Sequence, residues 1–432
     1  MMRRTLLVSL VSGLLVAILV ASLAGCGATI QGMGIAMSDR ERVSSPNVSA
    51  PDLNDLVEGN NAFAFDLYQA LSNKDGNLFY SPYSISVALA MTYAGARGET
   101  ERQMADTLHF ALPQDRLHPA FNALDLELAA RGAGAKGKDG EGFRLNIVNA
   151  IWGQQGYQFL ADFLDVLAEN YGAGLRILDF ANAPEQSRMK IKEWVSDQTE
   201  GTIEDLIPPG VIDSLTRLLL TDAIYFNAAW QYPFDKNATS NGLFHLLNSG
   251  DVTVPMMEQT ESFCYAEGDN YQAIELPYDG QELSMVILLP KAGQFDAFEK
   301  SLDAELVKAI VDKLETGRVA VTMPKFEYES SFSLKQALST LGMAVAFASG
   351  ADFSGMDGTR NLLIQDVLHK AFVSVDEAGT EAAAATAVIV GLTSVPAQAV
   401  EMKIDRPFIF LIRDIPTGST LFIGRVLNPA EK

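Results

Sequence analysis

Four histidines, two cysteines and one glycine-rich hexad are the features of this 432-residue chain whose types suggest chemistry. Histidine and cysteine together bind zinc when their spacing lets several ligands converge. His109, His118, His245 and His369 have no such spacing. The hexad Gly132-Ala-Gly-Ala-Lys-Gly137 fits G-x-G-x-x-G, a pattern that cradles a pyrophosphate only when it follows a strand and opens a helix. Here it follows a helical stretch and precedes the strand expected over Arg144 to Ile151, so it reads as a surface loop. Cys264, in Ser-Phe-Cys-Tyr, reads as a buried strand residue with no activating neighbour. The sequence holds no G-x-S-x-G elbow, no P-loop and no H-E-x-x-H pair. The expectation is a protein that is not an enzyme and takes no metal or cofactor.

The more informative segment is Glu-Ala-Gly-Thr-Glu-Ala-Ala-Ala-Ala-Thr-Ala-Val-Ile-Val, residues 377 to 390. Alanine favours helix, whereas valine, isoleucine and threonine favour strand. As a helix it would be an alanine-rich surface element. As a strand it places Thr380, Ala382, Ala384, Thr386 and Val388 on one face, all small and uncharged. Glu381, Ala383, Ala385, Ala387 and Ile389 fall on the other. Such a strand could enter an existing sheet without burying a charge on its first face. Mixed preference of this kind suits a segment that exchanges one conformation for another.

The elements around it belong to a globular chain: 48% hydrophobic and 20% charged residues, with a formal charge of −22. Removing the first 25 residues takes away Arg3 and Arg4 and no acid, leaving −24. That balance argues against nucleic acid, which needs clustered Lys and Arg. Arg3-Arg4 followed by the apolar run Leu6 to Ala24 reads as a signal peptide over residues 1–25. Leu23-Ala24-Gly25-Cys26 resembles the bacterial lipoprotein box, which implies lipidation of Cys26 and export to the envelope, with a shed form as the alternative. An uncleaved membrane span is the other reading of the apolar run. Residues 26–52 lack apolar periodicity and are expected to be a flexible tether, with one domain over 53–432. Helices are expected where Phe63, Leu67 and Leu71 recur, over Pro82 to Ala94 behind a Ser81 cap, over Met189 to Gln198 and over Ser333 to Leu341. Strands are expected over Leu218 to Tyr225, Val252 to Met257, Tyr271 to Leu276, Leu283 to Leu289, Val319 to Pro324, Pro407 to Ile412 and Thr420 to Val426. With no repeat and no second linker, this is one α+β domain.

From about Leu53 to Pro429 the chain resembles the serpins, serine protease inhibitors that trap their targets. The resemblance rests on segments in family order: Asn77-Leu-Phe-Tyr-Ser-Pro-Tyr-Ser-Ile-Ser, Ala94-Gly-Ala-Arg-Gly-Glu-Thr, Trp194-Val-Ser-Asp-Gln-Thr-Glu-Gly-Thr-Ile and Ala223-Ile-Tyr-Phe-Asn-Ala-Ala-Trp230. Met323-Pro-Lys-Phe326, Leu341-Gly-Met343, Ala351-Asp-Phe-Ser-Gly355, the run from His369 to Glu381 and Asp405-Arg-Pro-Phe-Ile-Phe-Leu-Ile412 complete it. The resemblance implies three β-sheets, about eight to nine helices and an exposed reactive-centre loop.

The resemblance also implies roles. Glu377, Gly379, Thr380, Glu381, Ala382, Ala383, Ala384, Ala385 and Thr386 become the loop hinge, which inserts as a new central strand after cleavage. Counting about sixteen residues from Glu377 puts the scissile bond at Thr393-Ser394, with Leu392 as an alternative contact. A small Thr393, and no Lys or Arg between Lys370 and Lys403, suggest elastase-like targets, with Leu392 suiting chymotrypsin-like or subtilisin-like ones. Cysteine endopeptidases fall within the implied range. Ser81, Ser84, Trp194, Asp222 and His369 are expected in the shutter and breach of the main sheet. Asp222 stands where relatives usually carry asparagine; either an Asp222–His369 pair holds the sheet closed and makes opening pH-sensitive, or Asp222 accepts the same hydrogen bonds with little change. No basic cluster near Arg102 to His118 suggests heparin-like activation. A monomer with serine endopeptidase partners is expected, and a non-inhibitory binding or chaperone-like member is the alternative.

Overall fold

The structure is a computed structural model that describes residues 34–133, 135, 144–199, 201–248, 250–380 and 399–431. It divides into two units, Met1–Gly34 and Ile35–Lys432; among the described residues, all the helices and every strand after β1, which begins at Gly34, lie in the second. The signal segment, Cys26 and the part of the tether before residue 34 lie outside the described residues. Among the described residues no helix is long and apolar enough to cross a membrane.

Helix α1 (Ala50–Leu71) starts where the Ser49 hydroxyl accepts from the Asp52 N–H, with Pro51 in the first turn. Helix α2 (Pro82–Tyr93) starts as expected, with the Ser81 hydroxyl accepting from the Ser84 N–H. Its residues are apolar or small on every side and almost all are buried, which makes it the central helix behind the seven-stranded sheet. Around these lie α3 (Gly98–Leu108), α4 (Gln114–Ala129), α5 (Ala161–Tyr171) and α6 (Pro184–Gln198). Ten α-helical segments occur among the described residues, three of them of six residues or fewer, against the eight or nine expected. The helix expected over Ser333 to Leu341 is α-helical only over Lys335–Leu338; it then widens and breaks at Gly342, whose φ of 134° no longer fits a helix.

A seven-stranded sheet carries the site. In spatial order it holds β1 (Gly34–Ala36), β4 (Leu175–Leu178), β3 (Arg144–Gln154), β5 (Leu218–Ala229), β13 (Gly379–Thr380), β12 (Ile364–Asp376) and β11 (Phe326–Ser333). Strands β5 and β12 also pair directly, in parallel, from Leu218↔Ile364 to Ile224↔Ala371. Beyond Ile224 and Ala371 they part, and β13 lies between them, antiparallel to both.

The second sheet has nine strands: β14 (Val400–Lys403), β10 (Glu315–Pro324), β7 (Asp251–Glu267), β8 (Tyr271–Pro277), β9 (Leu283–Pro290), β15 (Phe408–Asp414), β16 (Thr420–Val426) and β2 (Leu78–Tyr80), with β6 (Ser240–His245) paired to β7. Three sheets were expected. The 17-residue β7 joins what would be two, because its N-terminal half pairs β6 and its C-terminal end pairs β8. Strand β9 is buried at every position, matching its unbroken apolar run.

Two expectations are corrected here. Cys264 is half-buried, not buried: β7 turns Phe263 inward, so its neighbour faces outward beside Thr316. The flexible tether does not extend to residue 52. Between Ile35 and the cap of α1 the chain is docked as a strap. Arg40 pairs with Asp165 at 3.0 Å and Glu169 at 2.6 Å, and Arg42 with Asp125 at 2.6 Å. The Val43 N–H donates to the Glu169 carbonyl at 2.9 Å, and the Asn122 amide donates to the Val43 carbonyl at 2.7 Å. These partners lie on α4 and α5, far away in sequence, so no local pattern announces them.

Candidate functional site

The residues at the base of the loop are held by a compact set of polar contacts. A tight turn follows β12, in which Asp376 Oδ1 accepts from the Ala378 N–H at 2.8 Å and the Gly379 N–H at 3.3 Å. Glu377 sits at its tip with a side chain only 5% exposed. Its Oε2 pairs with Lys325 Nζ at 2.7 Å, and its Oε1 accepts from the Thr239 hydroxyl at 2.8 Å. Burial pushes this carboxyl up, but the hydrogen bonds and the Lys325 charge outweigh it and hold Glu377 below its ordinary pKa. The turn's carbonyls are also taken: Phe234 N–H donates to Glu377 O at 2.7 Å and Trp230 N–H to Ala378 O at 2.9 Å. The Trp230 indole N–H donates to Asp376 O at 3.0 Å.

Gly379 and Thr380 then enter the seam. Gly379 pairs with Ala229 and Asp376, and Thr380 with Ala228 and Val375. A Cβ at position 379 would collide with the Ala228 carbonyl oxygen, so only glycine lets the hinge approach β5 this closely. Thr380 is 1% exposed, and its hydroxyl lies 2.7 Å from the Tyr278 hydroxyl. Tyr278 stacks on Trp230 at 4.7 Å between ring centroids, 7° from parallel.

Lower in the seam, Asn149, Asp222 and His369 lie in register on β3, β5 and β12. His369 Nδ1 is 2.7 Å from Asp222 Oδ1, and both side chains are fully buried. The Ser81 N–H donates to His369 Nε2 at 3.3 Å, so Nε2 is unprotonated and the ring proton sits on Nδ1, directed at Asp222. Asp222 Oδ2 is buried without a hydrogen-bond partner among the described residues. Ser81 Oγ caps α2 and donates to the Leu421 carbonyl at 2.7 Å. Ser84 Oγ donates to Asn149 Oδ1 at 3.2 Å, and the Asn149 amide returns a bond to Ser84 O at 2.9 Å. The Asp222–His369 bond therefore crosses from β5 to β12, the pair that parts above it.

The structure thus gathers Ser81, Ser84, Asp222 and His369 into one cluster and Glu377, Gly379 and Thr380 into another. Trp194 joins neither. It stands on α6, edge-on to Trp152 at 5.3 Å, with the Arg176 guanidinium 4.1 Å above its ring. The tryptophan at the hinge is Trp230. Lys325, Thr239, Tyr278 and Asn149 were not singled out from sequence; the one available signal was that Trp230 and Lys325 fall within quoted motifs. Glu381, Ala382, Ala383, Ala384, Ala385 and Thr386, the bait residues Leu392, Thr393 and Ser394, and Cys26 lie outside the described residues. Among the described residues no group of three or more His, Cys, Asp or Glu is placed to hold a metal ion.

Comparison with known proteins gives the same picture. Residues 58–429 match the family model for serpin, serine protease inhibitor. A serpin-like protein of Thermococcus kodakarensis, described as uncharacterized, is 43% identical over 379 residues, covering 87% of this chain and 86% of that protein. Leukocyte elastase inhibitor of Sus scrofa is 41% identical over 385 residues, covering 87% of this chain and 99% of that protein. Among solved structures, the thermophilic serpin tengpin in its native state superposes with a TM-score of 0.81 at 28% identity, covering 92% of this chain and 99% of that one. Uncleaved ovalbumin gives 0.77 at 25% identity, covering 87% and 100%. The chain belongs to the serpin family of serine protease inhibitors, and family membership of this kind makes it a non-enzyme whose partners are proteases.

Proposed function

We propose that this protein is an inhibitory serpin that traps serine endopeptidases as a covalent acyl-enzyme. The observation that carries the reading is the parted seam: β5 and β12 separate to take in Gly379–Thr380, the first residues of a run of small side chains. In the proposed course the protease serine attacks the Thr393 carbonyl. The Thr393–Ser394 peptide bond breaks, an ester forms, and Ser394 leaves as a free amine. Residues 381 onward then follow Thr380 between β5 and β12, drawing the acylated protease with them. The gain comes from main-chain hydrogen bonds and burial that the native state withholds. A charge or proline on the entering face would slow this, and Thr380, Ala382, Ala384 and Thr386 contain neither.

Elastase-like targets are favoured by the small Thr393 and by the likeness to leukocyte elastase inhibitor. Leu392 extends the range to chymotrypsin-like and subtilisin-like enzymes. Cys26 is proposed as a lipidation site that tethers the inhibitor to the cell envelope. Loss of labelled palmitate incorporation in Cys26→Ser supports this, and unchanged incorporation defeats it. The inhibitory reading is tested by mixing the protein with an elastase-like protease. An SDS-stable adduct, and a released C-terminal peptide that starts at Ser394, are expected. Clean cleavage without adduct means a non-inhibitory member, and a peptide starting far from Ser394 removes the assigned bond.

A further inference from the structure

Tyr278 lies in the turn between β8 and β9, in the second sheet, yet its hydroxyl is the one side-chain partner of the hinge residue Thr380 among the described residues. Both residues are 1% exposed. The tyrosine is held rigidly: its ring stacks on Trp230 and meets Phe226 edge-on at 5.2 Å. Its backbone is fixed by the Tyr278 N–H to Leu283 carbonyl bond at 2.9 Å and by a bridge to Trp230. Among the described residues the hydroxyl has no other partner, so its only hydrogen bond ends on a residue that can leave. Burial pushes the phenol far above its ordinary pKa, offset in part by the Thr380 contact, so it stays a neutral O–H at any physiological pH.

We infer that Tyr278 is a positioning residue that latches Thr380 in the seam and so sets how far the loop is seated before a protease arrives. The inference deepens the inhibitory reading and, in its effect on trapping, rests on it. Its physical basis is the asymmetry of buried hydrogen bonds. A donor that loses its partner in a dry site loses stability, whereas removing both partners together is nearly neutral. When Thr380 leaves the seam, the Tyr278 hydroxyl is orphaned in an aromatic pocket, and this biases the hinge inward. A seated Thr380 gives the rest of the loop a strand end from which to zip, so that insertion competes with hydrolysis of the acyl bond.

The test is a double-mutant cycle of Tyr278→Phe and Thr380→Val, which preserve ring and shape respectively. Hydrogen exchange is read on peptides covering 376–380 and 226–230, without any protease. In Tyr278→Phe the exchange protection of these peptides is expected to fall about 10-fold or more while β9 and β15 stay protected. The double variant is expected to recover most of it. The stoichiometry of inhibition should follow the same order: raised in Tyr278→Phe and nearer wild type in the double. Unchanged exchange at the hinge, a uniform loss across the core, or simple additivity of the two substitutions overturns the latch. If the wild-type protein forms no adduct but the exchange cycle behaves as stated, the latch stands and the inhibitory reading fails.

Discussion

Glu377 shows how one buried charge can anchor a turn at the end of a strand. Its carboxylate is almost wholly enclosed and depends on Lys325 and Thr239. Lys325→Met leaves that charge with the threonine and backbone donors alone, and is expected to cost about 1–3 kcal/mol, measured by urea unfolding. The pH dependence has a definite sign. Because the folded carboxyl titrates below its unfolded value, the stabilisation is complete above the unfolded pKa and is lost as pH falls through the folded one. The wild type should therefore weaken from about pH 5 downward, and Lys325→Met should show a shallower acid slope. Asp222 and His369 offer a second charged contact, this one across the seam. Asp222→Asn keeps an acceptor for the His369 Nδ1–H but removes the charge, and is expected to change the rate of inhibition; an unaltered rate would remove the pair from gating.

At the scale of elements, the decisive feature is that β5 and β12 are paired at one end and parted at the other. Two parallel strands that can pair directly, or accept a third between them, form a bistable contact rather than a fixed one. Gly379 is where the third strand comes closest to β5. Gly379→Val forces its side chain into the Ala228 carbonyl and should unseat the hinge. A protease would then cleave the variant with little or no SDS-stable adduct, while circular dichroism remains native. Retained full inhibition would show that seating at 379 is dispensable. The strap over residues 35–48 illustrates a different lesson about elements. Arg40 and Arg42 bind it to acids more than 80 residues away, so polar composition alone made it read as a free linker.

For the whole molecule, the proposal requires a native state that is not the most stable arrangement of the chain. Cleavage at the bait should let about a dozen residues add to the seven-stranded sheet, each bringing main-chain hydrogen bonds worth roughly 1 kcal/mol net. A gain on the order of 10 kcal/mol in a chain of this size corresponds to a rise in Tm of roughly 10–20 °C. Calorimetry of the protein before and after cleavage, by a protease it does not trap, would measure this. No rise in Tm would remove insertion from the mechanism.

The amino-acid sequence by itself determined those features that depend on neighbouring residues. Ser81 caps α2 because a hydroxyl reaches the N–H three residues on, and β9 is buried because its apolar run is unbroken. The small side chains at Thr380 and 382–386 and the absent catalytic motifs were equally local facts. Only the tertiary structure decided which side chains meet at the hinge. Trp230, Thr239, Tyr278 and Lys325 arrive there from separate stretches of chain, each through directional hydrogen bonds, with Trp230 and Tyr278 also stacked on each other. Periodicity records which face of an element is buried, but a single directional bond between distant residues leaves no repeat to read. For the same reason nothing in the sequence around Trp194 separates it from the hinge tryptophan Trp230.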